Sequence, residues 1–215
     1  MVLAVIFDLD GTVLSNEDEY GDAFRKVLTR LGKRVETAYP HVGGIGVKEN
    51  WPILLSKYKI RTEKTIEELT QETQEAYLAD LPKVTLKPGF EVFVRELKEG
   101  GVLVALATSN VLWILEEVFE TLSLKKFFDV VTTGEEVKFK KPAPDLFLLT
   151  AEKLGVDPKE CLVIEDSEAG IEAAHKAQMK VFAIARDASH ARSLRNADRV
   201  VSSFEDISLS TIQNL

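Results

Sequence analysis

The 215-residue chain carries 35 acidic and 27 basic side chains, a net charge of −8, and is 45% hydrophobic and 29% charged, which suits a globular protein with one packed core and an insertion. An acidic balance without a Lys/Arg cluster excludes a nucleic-acid partner, which needs a basic face, and no stretch approaches the roughly 18 apolar residues of a membrane span. A single cysteine, Cys161, rules out an internal disulfide framework and fits a reducing compartment, so a cytoplasmic location is expected.

Residues 2–7 form a short, β-branched apolar run bounded by Gly11 and Thr12, the pattern of a buried parallel strand. Asp8 and Asp10 follow at its carboxyl end, where open α/β sheets bind their ligands. Two acids about 4 Å apart repel by roughly 4 kcal/mol at an effective dielectric near 20, so a pair held together shares a proton or a cation. The plain alternative is a strand-end turn with two solvated acids.

From Ser15 to Leu81 the pattern is helical. Tyr20, Phe24, Val27, Leu28 and Leu31 recur at helix spacing before a stop at Gly32. Val47, Trp51, Leu54, Leu55 and Tyr58 form a second stripe, in which Pro52 is tolerable only near the first turn. A third begins at a capping box from Thr65 to Glu68 and carries Ile66, Leu69, Thr73, Ala76 and Tyr77. After Lys87 helices and apolar strands alternate: a helix from Pro88 to Gly100, strand VLVALAT, a helix over 112–122, strand FFDVVTT, a helix over 145–154, strand CLVIED, a helix over 168–177 and strand KVFAIA. This alternation predicts a doubly wound, Rossmann-like parallel sheet. The expected organisation is an α/β core domain of residues 1–14 and 82–215 with an inserted helical cap domain of residues 15–81.

Further strand ends complete a constellation. Thr108, Ser109 and Asn110 close the second core strand ahead of a helix, so hydroxyls, backbone N–H groups and a helix N-terminus converge where an anion can bind; the same residues also serve as ordinary N-caps. Glu165 and Asp166 close CLVIED, beside Asp8 and Asp10 if the strand order reverses at the first strand. Lys141 precedes a proline at a helix start, while Lys138 and Lys140 read as solvated charges. Acids from two strand ends would share one Mg2+, a hard cation that prefers oxygen ligands. Phosphoryl transfer calls for such an assembly, with a nucleophile in line and positive groups around the equatorial oxygens. A carboxylate nucleophile makes a labile acyl phosphate and so divides one hard step into two.

DLDGT, the strand ending in Thr108, KPAPD and IEDSEAGIEAA resemble, in order and over essentially the whole chain, the four motifs of the haloacid dehalogenase (HAD) superfamily, in its phosphatase-like branch with a helical cap after the first motif. The resemblance implies a Mg2+-dependent phosphatase that hydrolyses a small-molecule phosphate ester through an aspartyl phosphate. It implies that Asp8 is nucleophile and metal ligand, and that Asp10 is general acid and base with its backbone carbonyl on Mg2+. Thr108 would bind the transferring phosphoryl group, Lys141 would stabilise its charge, Asp166 would complete the metal site, and Glu165 would be a direct or water-mediated partner. The second aspartate favours phosphoryl chemistry over dehalogenation, because a leaving alkoxide needs a proton and a halide does not.

Substrate choice falls to the cap. Its sheet-facing edge includes Glu17, Tyr20, Phe24 and the turn VGGIGVK, whose glycines allow close backbone approach without the spacing of the established phosphate loops; a flexible turn is the plain reading. Tyr20 and Lys48, with Ser109 and Asn110, are expected to meet the substrate. Trp51 and Trp113 read as packing residues, and His41, His175 and His190, which lack ligand spacing, as surface or packed ones. A β-phosphoglucomutase-like mutase would carry a histidine where Tyr20 stands and an arginine near Lys48 and Glu49, so hydrolysis ranks ahead of it. A phosphoacceptor signalling module would share Asp, Thr, Lys and Mg2+ but lack the helical insertion. With no exposed apolar stripe evident, a monomer is expected.

Overall fold

The computed structural model describes residues 1–214. The chain opens with β1 (Ala4–Phe7), passes a two-residue strand β2 (Leu14–Ser15) and enters helices α1 (Glu17–Arg30), α2 (Val47–Tyr58) and α3 (Ile66–Leu78). It returns through β3 (Thr85–Leu86), which pairs antiparallel with β2. Then α4 (Phe90–Glu99), β4 (Leu103–Ala107), α5 (Leu112–Leu122), β5 (Val130–Thr132), α6 (Asp145–Leu154), β6 (Cys161–Glu165), α7 (Glu168–Lys176) and β7 (Lys180–Ile184) follow one another. A short α8 (Ala188–Ser193), β8 (Arg199–Val201) and α9 (Leu209–Gln213) close the fold. No helix among the described residues is long and apolar enough to cross a membrane.

Six strands form one parallel sheet in the order β5-β4-β1-β6-β7-β8. The order reverses at β1, which lies between β4 and β6, so the crevice beyond its carboxyl end is the sheet's switch point. Register brings three strand ends level there, since Phe7 stands opposite both Leu106 and Ile164. Alternation along each strand divides the core. Ala4, Ile6, Ala105 and Val163 pack with Leu146, Phe147, Ile171 and Ala174 of α6 and α7 on one face. On the other, Phe7 meets Phe90, Phe93 and Phe204 at 5.6, 6.1 and 5.8 Å between ring centroids; such aromatic pairs add about 0.5–1.5 kcal/mol each beyond area burial.

The helical insertion continues this second core. Tyr20, Phe24, Val27 and Leu28 of α1 pack with Trp51 and Leu54 of α2 and Leu69 and Tyr77 of α3. The capping box that starts α3 forms as expected, Thr65 accepting from the Glu68 N–H and Glu68 from the Thr65 N–H. Trp51 is fully buried and donates its indole N–H to Thr73 Oγ1 at 3.1 Å. Pro52 lies in the second turn of α2, one turn deeper than expected, on the exposed side of the helix. The strand expected over FFDVVTT is only Val130–Thr132, because residues 125–127 form a 3-10 turn and the Asp129 carboxylate takes the Val104 N–H at 2.9 Å.

Candidate active site

The floor of the site is built from strand ends. Asp8, 5% exposed, follows β1 directly and donates its N–H to Ile164 O at 2.9 Å. The turn after it depends on Gly11, whose φ of +78° lies in the left-handed region and whose Cβ would stand 2.1 Å from Asp166 Oδ2. Lys141, carried to the floor just ahead of α6, donates to Asp8 Oδ1 and, at 2.6 Å, to Glu165 Oε1. Glu165 Oε2 accepts from the N–H groups of Asp166 and Ser167, both at 2.9 Å, and from Ser167 Oγ at 2.8 Å. Gly170 leaves room for that carboxylate, since a Cβ there would lie 1.9 Å from it. With both oxygens so engaged, Glu165 holds the floor together. Asp166 is different: among the described residues its carboxylate accepts one hydrogen bond, a long 3.5 Å contact from Thr12 Oγ1, and has no ion-pair partner.

Asp10 turns away from this cluster. It accepts from Asn16 Nδ2 at 2.6 Å and Asn110 Nδ2 at 2.7 Å. Asn16 precedes α1 but does not cap it; its side chain serves Asp10, the Gly11 N–H and the Tyr77 hydroxyl. Asn110 Oδ1 accepts from the Tyr20 hydroxyl at 3.0 Å, and the Tyr20 ring stacks on Tyr77 with centroids 3.9 Å apart. The network links β1, the strand end after β4, α1 and α3.

Burial, joined by the nearby Glu165 and Asp10 charges and opposed by Lys141, pushes the Asp8 carboxyl up to about 7. Burial likewise pushes Asp10 up to about 6 against its amide donors, and burial with the Glu165 and Asp8 charges holds Asp166 well above the carboxylate range. Lys141 is raised although burial opposes it, because Asp8 and Glu165 favour its charged form. Asp8, Glu165 and Asp166 offer oxygens all within 4.8 Å of one another, and Lys141 balances only one of those charges. A surplus of buried carboxylate, all oxygen and no sulfur, fits a hard divalent cation. Asp8 and Asp166 could hold it.

Thr108 is fully buried at the end of β4, its Oγ1 accepting from the Asn110 N–H at 3.1 Å. Ser109 Oγ reaches across to the helical insertion and donates to Gly44 O at 2.9 Å. The expected anion nest at the start of α5 is partly taken, since Glu135 Oε2 accepts the Leu112 N–H at 2.6 Å. The expectation for Lys48 is corrected. As the second residue of α2 it faces α3, where its 55%-exposed side chain pairs with Glu67 at 2.7 Å, and it does not line the site. Lys140, read as a surface charge, pairs with Glu49 of α2 at 3.2 Å. Trp113 is 42% exposed and so packs only in part.

Above the floor lies a cavity of 70 Å³ bounded by Asp8, Asp10, Asp166, Tyr20, His41 and the glycine-rich turn at residues 43–46. Gly44 (φ +79°) presses on α7's cap, since a Cβ there would stand 2.0 Å from Ser167 Oγ. The sequence reading placed Tyr77 in a helical stripe and His41 among surface or packed residues, and gave Asn16 and Ser167 no part in the site. Ser167 had a signal, being an N-cap that accepts the Gly170 N–H at 3.0 Å, whereas Asn16 reads as an ordinary cap and its task appears only in three dimensions.

The sequence profile of the haloacid dehalogenase-like hydrolases matches residues 5–184. A phosphorylated carbohydrates phosphatase of Thermotoga maritima is 32% identical over 200 residues, 92% of each chain. A fructose-1-phosphate phosphatase of Escherichia coli is 32% identical over 176 residues, 81% of this chain and 92% of the relative. Among solved structures, β-phosphoglucomutase of Clostridium difficile superimposes with a TM-score of 0.88 at 26% identity, covering 100% of this chain and 96% of that one. CbbY of Rhodobacter sphaeroides in complex with phosphate gives 0.86 at 26% identity over 99% and 100%.

Proposed function

We propose, because this chain belongs to the haloacid dehalogenase-like hydrolase family, a two-step hydrolysis of phosphate monoesters centred on Asp8 and Asp10. The chain is a phosphoric monoester hydrolase of small phosphorylated compounds. In our reading Asp8 attacks the phosphorus, the P–O bond to the alcohol breaks, and Asp10 gives its proton to the departing oxygen. Asp10 then takes a proton from the water that attacks the aspartyl phosphate, releasing inorganic phosphate and restoring Asp8. Lys141, pinned between Asp8 and Glu165, faces the charge that develops on the equatorial oxygens, and Thr108, Ser109 and Asn110 help to seat the phosphoryl group. Asp8, Asp166 and the Asp10 carbonyl would hold Mg2+, which when bound adds positive charge beside the phosphoryl oxygens.

The observation that carries this reading is the separation of the two aspartates. Asp8 sits on a lysine and beside Asp166, so a cation there favours its charged, nucleophilic form. Asp10 has no cation against it, and burial pushes it up to about 6 in spite of its two amide donors, which keeps a proton within its reach. The residues 15–81 are then a lid on the 1–14 and 82–215 core, hinged at the β2/β3 pair, whose closure keeps bulk water out.

Acid-quenched incubation with a labelled ester and Mg2+ tests the reading. A hydroxylamine-sensitive phosphoenzyme is expected in the parent protein and not in Asp8→Asn; label on Asp8→Asn would remove Asp8 as nucleophile. A mutase would convert β-glucose 1-phosphate to glucose 6-phosphate, given a trace of the 1,6-bisphosphate. Release of inorganic phosphate in each turnover is the expected result.

A further inference from the structure

Lys140, which the sequence presents as a solvated charge, lies in a slot left by two glycines. Its stem crosses Gly134, where a Cβ would stand 3.0 Å from Lys140 Cε and 2.4 Å from Ser109 O, and its ammonium ends beside Gly46, where a Cβ would stand 2.8 Å from Nζ. Neither glycine has a positive φ, so what each supplies is room. Ser109 and Gly46 both line the cavity, which puts the ammonium directly behind the wall near the end of β4. There it holds both carboxylate oxygens of Glu49, at 3.2 and 3.3 Å, with the lysine side chain 16% and the glutamate 37% exposed.

Four cations stand near the cavity, and they differ in what a rising lid does to them. Lys141 is sealed in the floor between Asp8 and Glu165. Lys87 pairs with Glu17 at 3.1 Å, but the two flank β3 and β2, the hinge itself, where a rotation separates them least. Arg186 sits at the Tyr39 ring, 4.8 Å from its centroid, and its carboxylate neighbour Asp187, 3.7 Å away, belongs to the core and stays with it. Glu49 is carried on α2, in the lid, whereas Lys140 belongs to the core. Of the four, Lys140 is the one whose counter-ion is withdrawn, and this happens at the mouth beside Ser109. The net charge of −8 repels an anionic ester, and a freed ammonium at the entrance reverses that field locally.

We propose that Lys140 captures the phosphate group on its way to the floor: with the lid raised its ammonium takes the phosphoryl oxygens beside Ser109, and on closure the group passes to Lys141 while Lys140 returns to Glu49. This role rests on the phosphatase and lid readings above and adds a binding step ahead of the chemistry. Glu49 is then the lid's own competitor for the same cation. Because Lys140 has the same partner before capture and after closure, its charge acts on the rate of association more than on the final affinity.

Stopped-flow tryptophan fluorescence with inorganic phosphate and saturating Mg2+ gives kon, koff and Kd. Lys140→Met and Glu49→Gln both break the pair, but only the first loses the capturing charge. In Glu49→Gln kon should match or exceed that of the parent, and in Lys140→Met it should be about tenfold lower, at the low end of what placed charges do to association. The parent kon should fall at least about threefold between roughly 0.01 and 0.15 M salt, and that of Lys140→Met much less. Lys48→Met, which removes the same charge from an exposed pair on α2, should change kon by less than about twofold. Equal kon in Lys140→Met and Glu49→Gln, or a loss in Lys140→Met that comes wholly from faster koff, would make the pair a plain latch and overturn the proposal alone. If the parent fails to hydrolyse p-nitrophenyl phosphate with Mg2+, the phosphatase reading falls and the role of Lys140 falls with it.

Discussion

The floor and the roof of the site are built on opposite principles. The floor is charged and buried: Lys141 and Glu165 are fully sealed, Asp8 nearly so, and three strand ends in register hold them. The roof touches the floor through neutral hydrogen bonds, Ser109 to Gly44 and Tyr20 to Asn110, and through two ion pairs nearer the rim, Lys140 to Glu49 and Lys87 to Glu17. Breaking a buried charge pair costs about 3–5 kcal/mol, whereas a neutral hydrogen bond contributes about 0.5–1.5 kcal/mol and a rim ion pair about 0–1 kcal/mol. The strong contacts thus lie within the floor, and the weaker ones where, in the proposed function, the helical segment parts to admit substrate. Rigidity and release are separated in space.

The sharpest challenge to that contrast is Asp8→Asn. Removing the nucleophile should abolish turnover and the phosphoenzyme together, measured by acid-quench labelling, and residual turnover above background would move the chemistry off the floor. Withdrawal of metal by EDTA and dialysis should come next, with activity lost and then restored by Mg2+; full activity in the chelated protein would mean that Asp8, Glu165 and Asp166 manage their charge unaided. Asp10→Asn should slow kcat by about 10²- to 10⁴-fold, the usual scale of general acid–base catalysis. That loss should be smallest for p-nitrophenyl phosphate, whose leaving group needs little protonation.

The roof should respond more gently. Gly44→Ala puts a methyl group on Ser167 Oγ and a non-glycine residue at positive φ, a cost of about 1–2 kcal/mol in the closed form. A fall in kcat/KM of roughly 5- to 30-fold is expected with little change in Tm; an equal loss of thermal stability would make the turn a structural strut. Lys48→Ala should alter kcat/KM for any ester by less than about twofold, as expected of an exposed ion pair. A selective loss on one ester would return Lys48 to the site.

The sequence announced the floor because its signals are local. An apolar run ending in Asp8 and Asp10, another ending in Glu165 and Asp166, and Lys141 ahead of a proline each declare a strand end or a helix start within a few residues, and sheet register does the rest. The roof depends on distant partners. Which way Lys48 points follows from where α2 begins, since one residue of helix phase turns a side chain by about 100°. Glu135, far along the chain, occupies the first N–H of α5, and nothing near Leu112 foretells it. Asn16 has the look of an ordinary helix cap, and only the assembled fold diverts its amide to Asp10. The strands β2 and β3, two residues each, are too short for any periodicity to register.

The central position of β1 also governs the order in which the protein can be made. Its partners begin at Leu103 on one side and Cys161 on the other, so a nascent chain carries the apolar segment Ala4–Phe7 unpaired while both are still to come. At about 5–20 residues per second of synthesis, that wait is on the order of 5–30 s. The helices α1 to α3, built on contacts close in sequence, can assemble meanwhile. The helical segment is thus available to gather while the strand that carries Asp8 still lacks neighbours, and the floor is completed only when β6 arrives with Glu165 and Asp166.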